Sequence, residues 1–293
     1  MKKIFTLFVA LLTAAVSMAE LHVGLAYEAG AEIVSSYIWR GQYNGGLSFQ
    51  PDLEIGYDGL LTSLRIGAWA NIGASDWKFQ KGLPLNEDES NPNTLFVPEL
   101  DIIGSFTVVG LSVGFNHYYY CDGSKFFSVL NPQQIYETGQ TSSTEVWIGY
   151  NFNHFFNHGA YINWYTTIAG NDILINEETN KARRAWSSYL EIGYDYTFES
   201  VGITIGAQVG MSPWTSDLYG NTGFAVVNVN AKFHKEWELD VVTLDLFATG
   251  SINPDGLITD PKNPDYNVFV NAAGDDKLCK QKLNGTIGLG IWF

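Results

Sequence analysis

The sequence predicts an all-β fold, a transmembrane antiparallel up-and-down β-barrel of about twelve strands behind an N-terminal signal peptide. Three observations point there. A basic and then apolar leader opens the chain, segments of about ten residues alternate apolar with polar or small side chains, and the connections between them alternate short with long.

Lys2 and Lys3 form the basic start of the leader, Ile4 to Val16 its apolar run, and Ser17-Met18-Ala19 a small-residue cleavage site. The run is shorter than the ~20 residues of a spanning helix. The chain therefore divides into a signal peptide, 1–19, and a single barrel domain, 20–293. Loss of Lys2 and Lys3 takes the 16 bases to 14 against 31 acids, a mature charge of -17. That acidity excludes nucleic acid as a partner, since no basic surface is available to release phosphate counterions. With 46% hydrophobic, 16% charged and 15% aromatic residues and 30 Gly, neither a coiled coil nor a disordered tail fits. Two Cys are too few for a disulfide scaffold or a Cys-rich zinc site.

Past the leader no apolar run reaches helix-spanning length, but period-two alternation recurs. Leu53, Ile55 and Tyr57 share one face, with Asp52, Glu54 and Gly56 opposite. Leu64, Ile66, Ala68 and Ala70 oppose Arg65, Gly67 and Asn71; Leu190, Ile192, Tyr194, Tyr196 and Phe198 oppose Glu191, Gly193 and Asp195. The same parity places Ile205 and Val227 toward lipid, with Thr204 and Asn228 turned inward. Strands are expected over about 31–41, 48–57, 61–72, 95–106, 109–120, 142–152, 159–168, 185–198, 201–212, 223–234, 238–249 and 282–293. Connections after even strands are tight, among them Asp58-Gly59-Leu60, Thr107-Val108, Glu199-Ser200 and Lys235 to Trp237; those after odd strands are mostly long and polar. This is the loop pattern of an outer-membrane barrel, which with an even strand count has both termini periplasmic. A soluble sandwich has no reason to place its long loops at one end.

An internal repeat supports construction by hairpins. Glu54-Ile55-Gly56-Tyr57-Asp58, Glu191-Ile192-Gly193-Tyr194-Asp195 and Trp147-Ile148-Gly149-Tyr150-Asn151 each lie just above a short turn, where a Tyr ring sits in lipid and its hydroxyl in water. A second aromatic belt is expected from Trp39, Trp69, Tyr118 to Tyr120, Trp164 and Trp214. The ending Thr286-x-Gly288-x-x-Ile291-x-Phe293 resembles the signal that outer-membrane proteins present to the barrel insertion machinery.

The stretch Ser35-Ser36-Tyr37-Ile38-Trp39-Arg40-Gly41, then Phe49-Gln50-Pro51, Leu53-Glu54-Ile55-Gly56-Tyr57 and Ala68-Trp69-Ala70-Asn71, resembles the opening of the TorF-like porin family, the Gcw_chp domain. The resemblance covers roughly residues 33–72. It implies an outer-membrane barrel with a presumed transport role and brings no substrate with it.

Assigning the apolar face to lipid makes Asp52, Glu54, Arg65, Glu99, Asp101, Glu145, Glu191, Asp195, Lys232 and Asp245 the candidate pore-lining residues, with Arg40 either inside or at the outer rim. A ring of one charge inside a barrel selects ions by sign; the same acids paired with bases would instead fill a narrow lumen. No catalytic set is evident. Outer-membrane lipases and deacylases carry a lipid-facing His with a Ser two residues on, whereas His117 is followed by Tyr118-Tyr119. His154 and His158 have a metal-like spacing but fall in an inner turn, so no metal or cofactor is assigned. The acidic runs Glu87-Asp88-Glu89, Glu177-Glu178 and Asp275-Asp276 read as solvated outer loops facing lipopolysaccharide. Pairing of Cys121 with Cys279 is permitted by export, although their strands are not sheet neighbours.

The expectation is a passive porin-like channel for small cationic or neutral solutes, located in the outer membrane of a Gram-negative-type envelope. The alternative is a closed structural or adhesive barrel working through its outer loops, and a lipid enzyme ranks behind both. N-terminal sequencing of protein from the outer-membrane fraction should begin at Glu20. Deleting Phe293 should lower the yield of assembled barrel, and unchanged assembly would show that the C-terminal residue carries no signal.

Overall fold

The computed structural model describes residues 24–73, 99–121, 124–127, 131–153, 159–176, 178–254 and 283–293. The leader, Cys279, His154, His158 and most of the acidic runs lie outside the described residues. The elements are β1 (Gly24–Val34), β2 (Tyr37–Trp39), β3 (Gln42–Gly45), β4 (Ser48–Asp58), β5 (Thr62–Gly73), β6 (Glu99–Val108), β7 (Leu111–Tyr119), α1 (Pro132–Thr138), β8 (Ser143–Asn151) and β9 (Ala160–Gly170). They continue with β10 (Ile173–Asn176), β11 (Lys181–Arg184), β12 (Ser188–Phe198), β13 (Ile203–Ser212), β14 (Ala225–Leu239), β15 (Val242–Ile252) and β16 (Leu283–Trp292).

Twelve of these strands close into one antiparallel barrel in the order β1, β16, β15, β14, β13, β12, β9, β8, β7, β6, β5, β4. The two ends of the sheet meet where Gly30 opposes Trp292 and Val34 opposes Gly288. Phe293 extends this seam by donating its backbone N–H to the Ala29 carbonyl at 2.8 Å. Closure leaves no sheet edge, which is the condition for a sheet to stand in lipid. The short turns gather at one end with the first and last described residues, since Gly24 opposes Asp58 and Thr243 opposes Trp292.

The barrel is apolar outside and polar inside. Leu53, Ile55, Tyr57, Leu64, Ile66, Ile192, Tyr194, Ile205, Ile287 and Leu289 are exposed on the outer wall, and the intervening Asp, Glu, Asn and Gly residues turn inward. No helix of the described residues is long and apolar enough to cross a membrane. Tyr27, Tyr57, Tyr194, Tyr196 and Trp237 are exposed near the short-turn end, where the repeat anticipated an aromatic belt. At the opposite end Trp164 stacks obliquely on Trp214 at 5.5 Å, and the Trp214 indole donates to the Trp186 carbonyl at 2.8 Å.

Three expectations need correction. The first barrel strand is 24–34 rather than 31–41, because Arg40 (φ 47°) and Gly41 (φ 78°) form a tight turn that folds 37–45 into a separate hairpin. These signs of φ at both central residues are those of a type I′ hairpin turn. The turn expected at Lys235 to Trp237 lies instead at Asp240-Val241; the strand runs on, with Trp237 outward and Asp240 (φ 57°) making the reversal. Finally, Gly210 opposes Asn228 but Met211 opposes Val226, so Val227 is an extra, bulged residue. It is only 2% exposed, packed with Tyr189 and Tyr219, and not lipid-facing. Asn228 turns inward as expected, but it is fully buried and accepts from the Tyr189 hydroxyl at 2.9 Å.

The long outer connections carry structure of their own. In α1, Asn131 caps the N-terminus through a reciprocal exchange with Gln134, Gly139 (φ 62°) ends the helix, and Ile135 is buried beneath it. Gln133 accepts from the backbone N–H of Ala182 at 2.9 Å, which ties α1 to the β10–β11 hairpin. Near that hairpin the fully buried Asp172 accepts from the Ser187 N–H at 3.1 Å, and burial raises its pKa.

Ile205→Arg places a charge on the apolar outer face opposite Tyr196, near the short-turn end, and should lower stability by about 1–2 kcal/mol, less than the midplane cost. Thr204→Arg, one residue along, should cost much less. Urea titrations of the barrel refolded in lipid vesicles separate the two, and equal costs would mean that the assigned faces are wrong.

Candidate functional site: the lumen and its inward hairpin

The chain that leaves β1 turns into the barrel instead of away from it. Ser36 donates to the Gly285 carbonyl at 2.6 Å, and Tyr37 packs on Trp69 at 5.4 Å. Trp39 stacks on Tyr219 at 6.0 Å with only 10° between the rings. At the tip, the Gly41 carbonyl accepts amide donors from both Asn253 and Asn284 at 2.7 Å. A side chain at Gly41 would also meet the Asn228 Cβ at 2.5 Å, so glycine is required for space as well as for its φ.

Arg40 is the centre of this arrangement. Its guanidinium forks onto the Glu145 carboxylate at 2.7 and 3.0 Å and donates to the Tyr219 hydroxyl at 2.5 Å. The aromatic rings of Trp39, Tyr165 and Tyr189 lie 4.6, 4.2 and 4.6 Å from its central carbon. Glu145 is 1% exposed and accepts two further bonds, from Tyr118 at 2.6 Å and Asn116 at 2.8 Å. A buried charge pair is sustained only with such full hydrogen bonding. The pair joins residues 105 apart in sequence and fastens the hairpin across the outer half of the lumen.

All ten sequence-derived candidates face the interior, but they do not form one ring. Glu145 is consumed by Arg40. Glu99, which accepts from the Tyr37 hydroxyl, and Asp101 are buried beside the hairpin. Lower down, Glu191 accepts from Gln208 and from Asn163 at 3.4 Å, while Lys232 donates to the Tyr161 hydroxyl at 3.0 Å. Asp195 retains an unpartnered carboxylate oxygen. Asp245 lies 3.2 Å from His234, and Asp52 sits on the β4 wall between Gln50 and Glu54. Toward the short-turn end Arg65 pairs with Glu54 at 3.1 Å and Asp58 at 2.7 Å.

Sequence reasoning missed Glu28 and Glu32, which face inward on β1; Glu28 opposes Glu54 directly. The alternation of Leu25, Tyr27, Ala29, Ala31 and Ile33 around them was legible, but a strand begun at 31 passes over it. Trp39, Trp69 and Tyr118, expected in an outer aromatic belt, are instead lumen residues of this hairpin and its box. His117 is engaged at both ring nitrogens, by Thr144 at 2.9 Å and the Phe126 carbonyl at 2.7 Å.

No family model and no curated protein matches the chain, so the TorF-like resemblance rests on residues 33–72 alone. Solved structures do align over nearly its whole length. The COG4313 outer membrane channel from Pseudomonas putida F1 aligns at a TM-score of 0.44 and 11% identity, over 93% of this chain and 96% of that one. Salmonella typhi OmpF, solved in complex with daunomycin, aligns at 0.38 and 10%, over 92% and 97%. The CymD monoaromatic hydrocarbon channel aligns at 0.38 and 8%, over 97% and 91%. Likeness at this level transfers neither solute nor mechanism.

Removing one partner of the buried pair leaves the other charge stranded. Arg40→Met and Glu145→Gln should each lower stability by about 3–5 kcal/mol, and the double variant by less than their sum. Urea unfolding in lipid vesicles measures all three, and strictly additive costs would show that the pair is not coupled.

Proposed function

We propose that the protein is a passive, porin-like channel of the outer membrane for small cationic or neutral solutes. In this reading both termini are periplasmic, the capped outer loops face lipopolysaccharide, and no catalysis takes place. The observation that carries it is the contrast between an apolar outer wall and a lumen in which acids exceed bases. Arg40 is neutralised by Glu145 and Arg65 by Glu54 and Asp58. Glu28, Glu32, Asp52 and Asp245 remain without a Lys or Arg partner among the described residues. Fields in a low-dielectric channel concentrate that excess, giving a cation a favourable potential and an anion a barrier. The doubly bonded His117 leaves no free base for an esterase-like reaction at that position.

A second reading has its own support. The hairpin tip and the Tyr189–Tyr219–Val227 cluster occupy the outer half of the lumen, as expected of a closed structural barrel whose loops do the work.

Planar-bilayer recording separates the two. The channel reading expects small conductance steps with cation preference, weakening as salt rises because the screening length falls from about 10 Å at 0.1 M to about 3 Å at 1 M. Asp52→Asn combined with Glu54→Gln should reduce the preference without unfolding the barrel. Glu145→Gln should act differently, enlarging the conductance by releasing Arg40 and the hairpin. Anion preference would overturn the reading, and silence from correctly folded protein, Glu145→Gln included, would favour the closed barrel.

A further inference from the structure

Between the hairpin and the wall formed by β1, β4 and β14–β16 lies a chamber of about 260 Å³. We propose that this chamber binds a small organic ammonium ion, a primary or methylated amine. This deepens the channel reading above and rests on it only for the route by which the ligand arrives.

The acidic side of the chamber is Glu32, which has no ion-pair partner among the described residues. Asp245, which lies 3.2 Å from His234 and does not line the chamber, stands behind it. Gly290 lies between the two acids, and a Cβ there would sit 3.5 Å from Glu32 and 3.6 Å from Asp245. A larger residue at 290 would intrude between the two acids. Arg40 also borders the chamber, but its charge is held by Glu145 at 2.7 Å.

A second, independent feature points to a donor ligand. Asn230 lines the chamber, is 9% exposed, and keeps its amide oxygen without a hydrogen-bond partner. A buried acceptor left unpaired is unfavourable, and an ammonium N–H or a polarised N-methyl group would relieve it. Gln50 lines the same wall and spends an amide proton on Asn71 at 3.0 Å, so its donor is turned away from a cation.

The remaining walls decide which cation. Tyr37, Trp69 and Phe247 contribute aromatic surface, which attracts alkylated ammonium by cation–π and dispersion forces. Hydrated sodium or potassium gains little from rings, and a divalent ion would find a single carboxylate, Glu32, among otherwise neutral oxygens such as those of Gln50, Thr249 and Thr286. An anion meets Glu32 with no free base to offset it.

The test is binding of tetramethylammonium chloride to barrel folded in detergent, by calorimetry, with sodium chloride at equal ionic strength as the reference. Saturable one-to-one binding is expected, undisplaced by sodium. Glu32→Gln should weaken it at least about tenfold, as loss of a buried charge contact does, and Trp69→Leu should weaken it separately should the first variant fail to fold. Glu199→Gln, in the exposed turn between β12 and β13, should leave it unchanged. No saturable binding, or equal loss with Glu199→Gln, would overturn the site. Conductance without saturable binding would overturn the site while leaving the channel standing; binding without conductance would overturn the channel and leave the site.

Discussion

The seam between β1 and β16 is the constraint on which the other features depend. In hydrocarbon every backbone N–H and C=O must find a protein partner, so the sheet can exist there only if its two edges meet. Closure then fixes parity for the whole molecule. Once Ala31 opposes Ile291 and Ile33 opposes Leu289, each strand has one face in lipid and one in the lumen, and every acid on the second face shares a confined volume. The polar interior follows from the outer wall.

A barrel of twelve strands lies between sizes filled by side chains and sizes left open as aqueous channels. This chain resolves the ambiguity unevenly. Its outer half is filled from above by the hairpin and by Tyr219, whose position depends on Ser187 and Ser216 holding the backbone of 216–219 inward. Toward the short turns the lumen side chains are smaller or more exposed, and Arg65 leans along the wall between Glu54 and Asp58. Arg40 is what makes the filling stable. A guanidinium can give a planar fork to Glu145 and present flat faces to rings at once, which lysine cannot do.

Much of this was legible in the sequence. The number of barrel strands, the position of all but the first, the side of the barrel that holds the short turns, and the inward orientation of Glu54, Glu145 and Glu191 follow from period-two alternation and loop lengths. The misses share a cause, for they occur where alternation continues through a change of partner. Tyr37 and Trp39 keep the parity of a strand, yet the turn that follows puts Arg40 at positive φ, a place where Asn, Asp or Gly is the usual signal. Tertiary bonds to Glu145 and Tyr219 hold it there, and no local pattern encodes them. Val227 hides in the same way, because Ala225-Val226-Val227-Asn228-Val229-Asn230 reads as ordinary alternation around a single extra residue. The extra apolar residue is accommodated because Tyr189 and Tyr219 are waiting inside.

These placements divide the lumen by function as well as by shape. Charges near the short turns remain partly solvated and can act on mobile ions at a distance. Those at the hairpin are spent on one another and act on the hairpin instead. Arg40 and Glu145 therefore contribute little to a passing ion's potential but much to whether a path exists, since separating them exposes two charges that their surroundings have already desolvated. Withdrawal of the tip would also strip the Gly41 carbonyl of both amide donors and leave Glu145 with only the neutral donors Tyr118 and Asn116 to meet its charge. Losses coupled through one rigid turn come together, so the hairpin has reason to be either seated or displaced, with few stable positions between.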